Sequence, residues 1–402
     1  MAIQSYREVL GNAPFLFLWM SQLLSQVADK VFFVLLVSLV TEHSPSHAMV
    51  SLALIANGLP AVLFGLPAGV LVDRSDKRRT LMATNWLRAL ALAVLPLVAQ
   101  SPWAIVLLSF AIATCSQPFA PAEAATIPMV VPRSNLMTAN ALFSTTMVVS
   151  IILGFTLAEP LLGTVGSTWL ALGTAAMYLL AGVCDLGVRY PPEIRHEGRT
   201  VRDLLDELKE GWQYIRRERP IRGAIVGMVT LFAMFAGMSV LAILFAKAEL
   251  RVPFSWFLAV AGLGMALGSA AVSHWGGNVP RRLLVNGGFL VTGLALWALS
   301  GANAQTVPLA FGLAALIGAA SASVVLPLQT ELQERVPDRL RGKVFGAQNM
   351  ATNIATAGPI AGVGLLADAV GVRMVFGLMG ALMLVAAAWG WWRSRKVDRN
   401  PA

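Results

Sequence analysis

Long apolar stretches separated by short polar segments make up most of the 402-residue sequence. An α-helix needs about 20 mostly apolar residues to cross the hydrocarbon core of a bilayer. Twelve windows meet this requirement, at residues 14–40, 48–72, 80–100, 103–127, 135–162, 167–188, 221–246, 254–275, 283–301, 305–330, 342–367 and 371–392. The pattern therefore predicts an all-α membrane protein with twelve transmembrane helices.

Composition supports the bilayer as the solvent for this chain. Hydrophobic residues make up 57% of the sequence and charged residues only 13%, with a mean hydropathy of +0.70. Soluble domains carry about 25% charged residues. The first apolar run is too long for a cleavable signal peptide, so we expect it to remain as the first helix.

The distribution of basic residues predicts the orientation. With a cytoplasmic amino terminus, 25 of the 30 Lys and Arg residues fall in segments on the cytoplasmic side. We therefore expect both termini in the cytoplasm and a multi-pass protein of the bacterial inner membrane. The net charge of +9 does not predict a nucleic-acid partner, because the basic residues lie in short clusters between apolar stretches.

The longest hydrophilic stretch divides the chain near its middle. We predict an amino-terminal six-helix bundle at 1–188, a cytoplasmic linker at 189–220 and a second six-helix bundle at 221–402. Apolar residues from Val201 to Ile215 recur at helical spacing within the linker, which indicates an amphipathic helix that tethers the two halves.

A shift of about 205 residues superimposes the two halves. It aligns Val131 with Val336 and Gly166 with Gly371, together with the apolar patterns that follow them. Six spans repeated in the same orientation predict two pseudo-symmetric bundles with a substrate path between them.

The segment GVLVDRSDKRRT, from Gly69 to Thr80, joins the second and third predicted helices. It resembles the signature loop of the major facilitator superfamily. We expect Gly69 to allow close helix contact and Asp73 to hold the amino terminus of a helix in the other half. Three basic residues would then bind acidic groups or lipid phosphate at this cytoplasmic gate: Arg74, Arg78 and Arg79.

The resemblance covers the whole chain and extends to macrolide and siderophore efflux permeases and to the lysophospholipid transporter. Supporting phrases are FLFLWMSQLLSQVADK in span one, QPFAPAEAATIPMVVPRSNLMTANAL across spans four and five, and PLQTELQERVPDRLRGKVFG before span eleven. This resemblance implies the major facilitator fold and transport by alternating access. Asp76 departs from the family pattern, which often has glycine there.

Polar residues inside span one are candidates for substrate contact or coupling. Three- and four-residue spacing places Gln22, Gln26 and Asp29 on one helix face, as a stripe lining a central cavity. Intramembrane charge is costly, so each such residue is a functional hypothesis. We favour Asp29 for substrate or proton contact over a fixed structural pair. Lys30 points about 100° away from it around the helix, so we expect partners on other helices.

Further polar candidates lie in other spans. Glu123, near the inner end of span four, is a candidate acidic partner or proton site. Arg88 in span three is within reach of it, and a pair between them would serve the structure as readily as a gate. Glu159, near the outer end of span five, is a candidate acidic partner or proton site. Asn349 and Asn353 repeat the polar face in span eleven and would line the cavity from the other half.

Charged residues also cluster at the inner end of span ten. A second part of the cytoplasmic gate is predicted from Glu331, Glu334 and Arg335, with these partners: Asp338, Arg339 and Arg341.

These features favour a transporter over an enzyme. We find no phosphate-cradling nucleotide loop and predict no cofactor or metal, so transport would use an ion gradient. The first hypothesis is a monomeric secondary transporter that exports a small amphipathic or hydrophobic compound, coupled to protons. A lysophospholipid flippase is the second hypothesis, and a non-transporting membrane scaffold or sensor is the third.

Overall fold

The structure is a computed structural model that describes residues 7–44, 47–132, 135–190, 201–276 and 279–399, and the regular structure in these ranges is helical. The main helices are α1 (Ala13–His43), α2 (His47–Arg74), α3 (Lys77–Val98), α4 (Pro102–Ser116), α5 (Phe119–Val130), α6 (Leu136–Asp185), α7 (Val201–Arg217), α8 (Arg219–Phe245), α9 (Phe254–Trp275), α10 (Arg281–Leu299), α11 (Val307–Arg335), α12 (Asp338–Val370) and α13 (Val372–Arg399). A π-helical turn, Ala246–Leu250, follows α8.

Eleven helical stretches in the described ranges are long and apolar enough to cross a membrane, with α4 and α5 counted as one. One of them, α6, has 50 residues, or about 75 Å at 1.5 Å per residue. That is more than twice the hydrocarbon thickness. Its helix is interrupted at Gly166, which has φ 80° and ψ 167°. Since α6 is long enough for two crossings, the described ranges provide twelve transmembrane helices, and the predicted fold class is confirmed.

The sequence duplication is visible in the backbone. Gly371 separates α12 from α13 with φ 85° and ψ 151°, and it lies 205 residues after Gly166, which has a similar conformation. Val131 and Val336 end α5 and α11 in extended conformation, and their N–H groups donate to the carbonyls of Ile127 and Leu332. The two halves therefore break their helices at corresponding residues.

Polar residues determine where several helices begin. The Asn12 side chain accepts a hydrogen bond from the Phe15 N–H, and Asp76 accepts one from the Arg79 N–H. Such bonds satisfy amide groups that the first helical turn leaves without partners.

Tertiary contacts divide the chain into two compact units. The first contains residues 1–45 and 52–205, and the second contains 46–51 and 206–402. In the first unit α1 and α3 pack along α6; in the second, α9 packs on α11 and α10 on α13. A core of large side chains that includes Phe15, Leu81 and Phe143 fills one end of the first unit.

Two glycines allow the close contact between α9 and α11. A Cβ added at Gly264 would overlap the backbone of Ala315, and one added at Gly318 would overlap the backbone of Ala261. Small residues at such positions let helix backbones approach closely where no hydrophobic effect drives helices together.

A helix, α7, lies in the hydrophilic stretch between the spans, although residues 191–200 of that stretch lie outside the described ranges. In the second unit, its Gly211 packs against the backbone of Lys343, and the Lys343 Nζ donates to the Glu210 carboxylate. Its Ile215 is 3% exposed. The carboxyl-terminal half of α7 is thus anchored to the start of α12.

Candidate functional site

A buried arginine lies at the centre of a polar cluster in the first unit. Arg88, on α3, is 1% exposed. Its Nη1 donates to Asp29 Oδ1 at 3.2 Å and its Nη2 donates to Asn85 Oδ1 at 2.5 Å. The guanidinium carbon lies 4.7 Å from the centre of the Phe119 ring and 4.6 Å from that of Tyr178. Carboxylate, amide and aromatic faces together offset the cost of burying this cation.

Asp29 receives two of its hydrogen bonds from other helices of the unit. Besides the bond from Arg88 on α3, it accepts a bond from the Tyr178 hydroxyl on α6 at 2.5 Å. Tyr178 is fully buried, whereas 37% of the Asp29 side chain is exposed. The carboxylate therefore joins a buried cation to an accessible surface.

Asn85 links this ion pair to a second carboxyl group. Its Nδ2 donates to Asp185 Oδ2 at 2.8 Å and to Ser21 Oγ at 3.3 Å, while its Oδ1 also accepts from Ser25 Oγ at 2.8 Å. Because the amide is bonded on both sides, it holds α1, α3 and the end of α6 in register.

Glu123 adds a third carboxyl group within electrostatic range of Arg88, Asp29 and Asp185. One of its oxygens is buried and accepts no hydrogen bond from the part of the chain that the structure describes. Three carboxyl groups thus lie within electrostatic range of one guanidinium.

The exposed side of Asp29 faces a cavity of about 380 Å³ in the first unit. This volume lies within the roughly 300–1,000 Å³ of small-molecule sites. The wall combines polar and aromatic side chains from several helices, including Lys30, Phe33, Asn57, Gln117 and Phe155. The cavity can therefore offer both stacking and hydrogen-bonding surfaces beside a carboxylate.

The structure pairs some predicted residues differently. The ion pair of Arg88 is made with Asp29 and not with Glu123, because α1 and not α5 presents a carboxylate oxygen to its Nη1. Gln22 is buried and donates to the Phe143 carbonyl at 3.4 Å, whereas Gln26 is half-buried. Gln22 therefore packs inside the unit and does not line the 380 Å³ cavity.

Asn85, Tyr178 and Asp185 are functional candidates that the sequence analysis missed. Asn85 precedes Arg88 by three residues, so the two share a helix face. Tyr178 precedes Asp185 by seven residues, or about two turns, within a predicted span. Asp185, an acidic residue at the end of that predicted span, is the feature of the sequence that could have indicated this part of the cluster.

The loop around residue 76 has a structural role beyond charge. Asp76, the departure from the family pattern, caps α3 by accepting from the Arg79 N–H at 2.8 Å. The Arg78 N–H donates to the Tyr190 hydroxyl at 3.0 Å. Asp73 and Arg74 are exposed. A Cβ at Gly69 would meet no atom of the described residues within 4 Å, and the close helix contact expected there stays a prediction. The gating role of this loop stays a prediction.

Two predicted gate residues of the second unit, Glu331 and Glu334, form ion pairs with arginines of α11 and α10. Glu334 accepts two hydrogen bonds from Arg281 at the start of α10, at 2.7 and 2.8 Å. Glu331 pairs with Arg335 one turn later at 3.0 Å. The side chain of Arg341 lies outside the described residues.

Three remaining candidates lie on other helix surfaces. Asn349 and Asn353 are exposed on α12, and Glu159 is half-buried on α6. Their parts in substrate contact or coupling stay predictions.

One family model matches most of the chain. Residues 18–359 and 252–402 match the model of the Major Facilitator Superfamily. The chain belongs to this superfamily. The superfamily consists of membrane transporters, so the protein is a multi-pass membrane transporter.

Several bacterial superfamily members are similar over nearly the whole chain. The MFS-type transporter YfiS of Bacillus subtilis (strain 168) is 27% identical over 376 residues, covering 91% of this chain and 89% of YfiS. Macrolide efflux protein A of Streptococcus pyogenes is 24% identical over 386 residues, covering 92% of this chain and 93% of that protein. The multidrug efflux pump Tap of Mycobacterium tuberculosis (strain ATCC 25618 / H37Rv) is 26% identical over 390 residues, covering 91% of this chain and 90% of Tap.

A solved structure agrees at the level of the fold. The nucleoside transporter NupG superposes with a TM-score of 0.76 at 13% identity, covering 94% of this chain and 99% of NupG. This likeness supports the superfamily fold and carries no information on substrate.

Proposed function

We propose that this protein is a secondary transporter that exports small amphipathic or hydrophobic compounds by alternating access, driven by the proton gradient. Two of the similar proteins are named as macrolide and multidrug efflux proteins. We place the protein in the bacterial inner membrane with both termini in the cytoplasm.

The observation that carries the proposal is the position of Asp29. Its carboxylate contacts the buried Arg88 on one side and a 380 Å³ cavity on the other. A proton that reaches Asp29 from the cavity removes the counter-charge of a buried cation, which is costly in a low-dielectric interior. Binding in the cavity and protonation at its wall can therefore be coupled through one side chain.

The test is transport in proteoliposomes that contain the purified full-length protein. We expect a pH gradient to drive movement of a radiolabelled macrolide and a cationic dye, and Asp29→Asn to reduce the driven rate at least about tenfold, which corresponds to about 1.4 kcal/mol. Glu42→Gln, an exposed carboxyl change on the same helix, is the control and should retain the wild-type rate. Gel filtration and apparent Tm would check folding of each variant.

Because Asn at position 29 removes the carboxylate that Arg88 bonds directly, Asp29→Glu provides a second variant that keeps the charge. Measurable coupled transport with Glu and none with Asn would support the proposal. Wild-type rates in a folded Asp29→Asn protein would remove Asp29 from the mechanism. Movement of a labelled lysophospholipid without dye or macrolide movement would instead identify the flippase hypothesis, and no transport under several gradients would favour a scaffold or sensor.

A further inference from the structure

A second, larger cavity of about 650 Å³ lies entirely within the second unit. It is formed where α8 and α10 begin and where α11 and α13 end, so its four helices contribute the same end of the bundle. The charge distribution of the sequence predicts that this end faces the cytoplasm. The cavity therefore lies at the level where helices leave the bilayer.

The walls of this cavity are largely apolar, and open space lies beside Gly223. Val226, Phe289 and Leu328 contribute apolar surface. A Cβ added at Gly223 of α8 would meet no atom within 4 Å. Two tryptophans, Trp389 and Trp392, line the cavity and remain 48% and 54% exposed. Tryptophan is enriched where hydrocarbon meets lipid headgroups.

The charged residues of the cavity are mainly arginines. Arg219, Arg281 and Arg282 line it together with one acid, Glu331. When the ion-pair partners Glu334 of Arg281 and Arg335 of Glu331 are included, four arginines face two glutamates. Arginines therefore outnumber glutamates two to one among these residues.

We propose that this cavity binds an anionic phospholipid from the cytoplasmic leaflet. The arginines would bind the phosphate, because guanidinium groups match phosphate oxygens in geometry and charge. The apolar wall beside Gly223 would hold an acyl chain, and the tryptophans would lie at the headgroup level. A cationic amphipathic compound fits the apolar wall but is repelled by the arginines, and a free inorganic anion leaves the wall unused.

The proposal concerns binding within one unit and does not depend on the transport mechanism. Native mass spectrometry of the purified full-length protein would measure adducts with dioleoyl phosphatidylglycerol and dioleoyl phosphatidylcholine. We expect the anionic lipid to bind about tenfold more tightly. Inorganic phosphate and a cationic dye serve as competitors, and neither should displace it.

Two sets of variants test separately the contribution of the cavity arginines and that of the open space beside Gly223. Arg219→Gln with Arg282→Gln should reduce phosphatidylglycerol affinity to that of phosphatidylcholine, while Arg217→Gln, an exposed arginine on α7 outside the cavity, should leave it unchanged. Gly223→Leu should weaken both lipids by filling the wall. Leucine has a higher helix propensity than glycine, so we expect the Gly223→Leu protein to fold. Gly312→Leu, in open space on α11, is its control.

Equal binding of the two lipids would overturn the proposal. It would also be overturned if Arg217→Gln reduced binding as much as the cavity arginines, because that points to general attraction to a basic surface. Displacement by inorganic phosphate would indicate a simple anion site, and displacement by the dye would indicate a site for cationic compounds.

Discussion

Arg88 and Asp29 differ greatly in exposure, with 1% and 37% of their side chains accessible. Removing one partner of a buried ion pair typically costs about 3–5 kcal/mol, because the remaining charge stays buried. For Arg88, the Asn85 amide and two aromatic rings remain when Asp29 is neutralised. These contacts would lessen the stability cost of Asp29→Asn relative to a buried ion pair that has no other partners.

Tyr178 provides a test of this cluster that changes no charge. Tyr178→Phe keeps the ring beside Arg88 and removes only the hydroxyl that donates to Asp29. A hydrogen bond to a charged group is worth about 1.5–3 kcal/mol, so we expect the transport rate to fall about tenfold or more when the bond is removed. Initial rates of gradient-driven dye uptake in proteoliposomes would measure the effect.

The control is Tyr214→Phe on α7, which removes a tyrosine hydroxyl far from this cluster in sequence and should not change the rate. If both phenylalanine variants transported at the wild-type rate with unchanged apparent Tm, Tyr178 would have only a packing role.

At the scale of the helix, Gly371 fixes the break between α12 and α13. Its φ of 85° and ψ of 151° belong to a region that side chains with a Cβ rarely adopt. Since an added Cβ would meet no atom within 4 Å, the cost of Gly371→Ala is backbone strain alone. We expect a loss of about 1–3 kcal/mol of stability, seen as a lower apparent Tm.

Gly377, six residues later within α13, offers the matched control. A Cβ there also meets open space, but its backbone has no positive φ. Gly377→Ala should be neutral or stabilising by up to about 1 kcal/mol. Equal apparent Tm values for the two alanine variants would contradict the proposed role of the Gly371 conformation.

The helix bounds show what hydropathy leaves out. The apolar windows predicted 80–100 and 305–330, whereas the helices are Lys77–Val98 and Val307–Arg335. Helices continue into polar residues because backbone hydrogen bonds form outside the lipid as well as within it. Asp76 caps α3, so that helix begins at Lys77, before its apolar window. Span number can therefore be predicted from hydropathy, while helix ends depend on caps and ion pairs.

At the scale of the molecule, the distribution of basic residues predicts an orientation that labelling can test. In a background with Cys115→Ala and Cys184→Ala, which removes both native cysteines, we expect Ala304→Cys to react with a membrane-impermeant maleimide on intact cells. Glu218→Cys should react only after lysis. Ala304 lies between α10 and α11, and Glu218 precedes α8; both are exposed.

Both cysteines should react in lysed cells, which controls for accessibility. The opposite pattern on intact cells would reverse the predicted topology. It would also place the arginine-lined cavity of the second unit in the outer leaflet.

The sequence by itself determined the class of this protein and its division into spans. Backbone groups in lipid must be satisfied within each helix, so runs of apolar residues specify helices without reference to their neighbours. The loop from Gly69 to Thr80 and the 205-residue repeat likewise identified the superfamily, which the family model confirms.

Only the tertiary structure decided which intramembrane charges meet. Arg88 bonds a residue 59 positions away and Tyr178 reaches Asp29 across 149 positions. Helical periodicity gives the face on which a side chain lies, but the rotation and neighbours of each helix follow from packing with the others. Arg88 bonds Asp29 and not Glu123 for that reason, while Glu123 lies within electrostatic range of both.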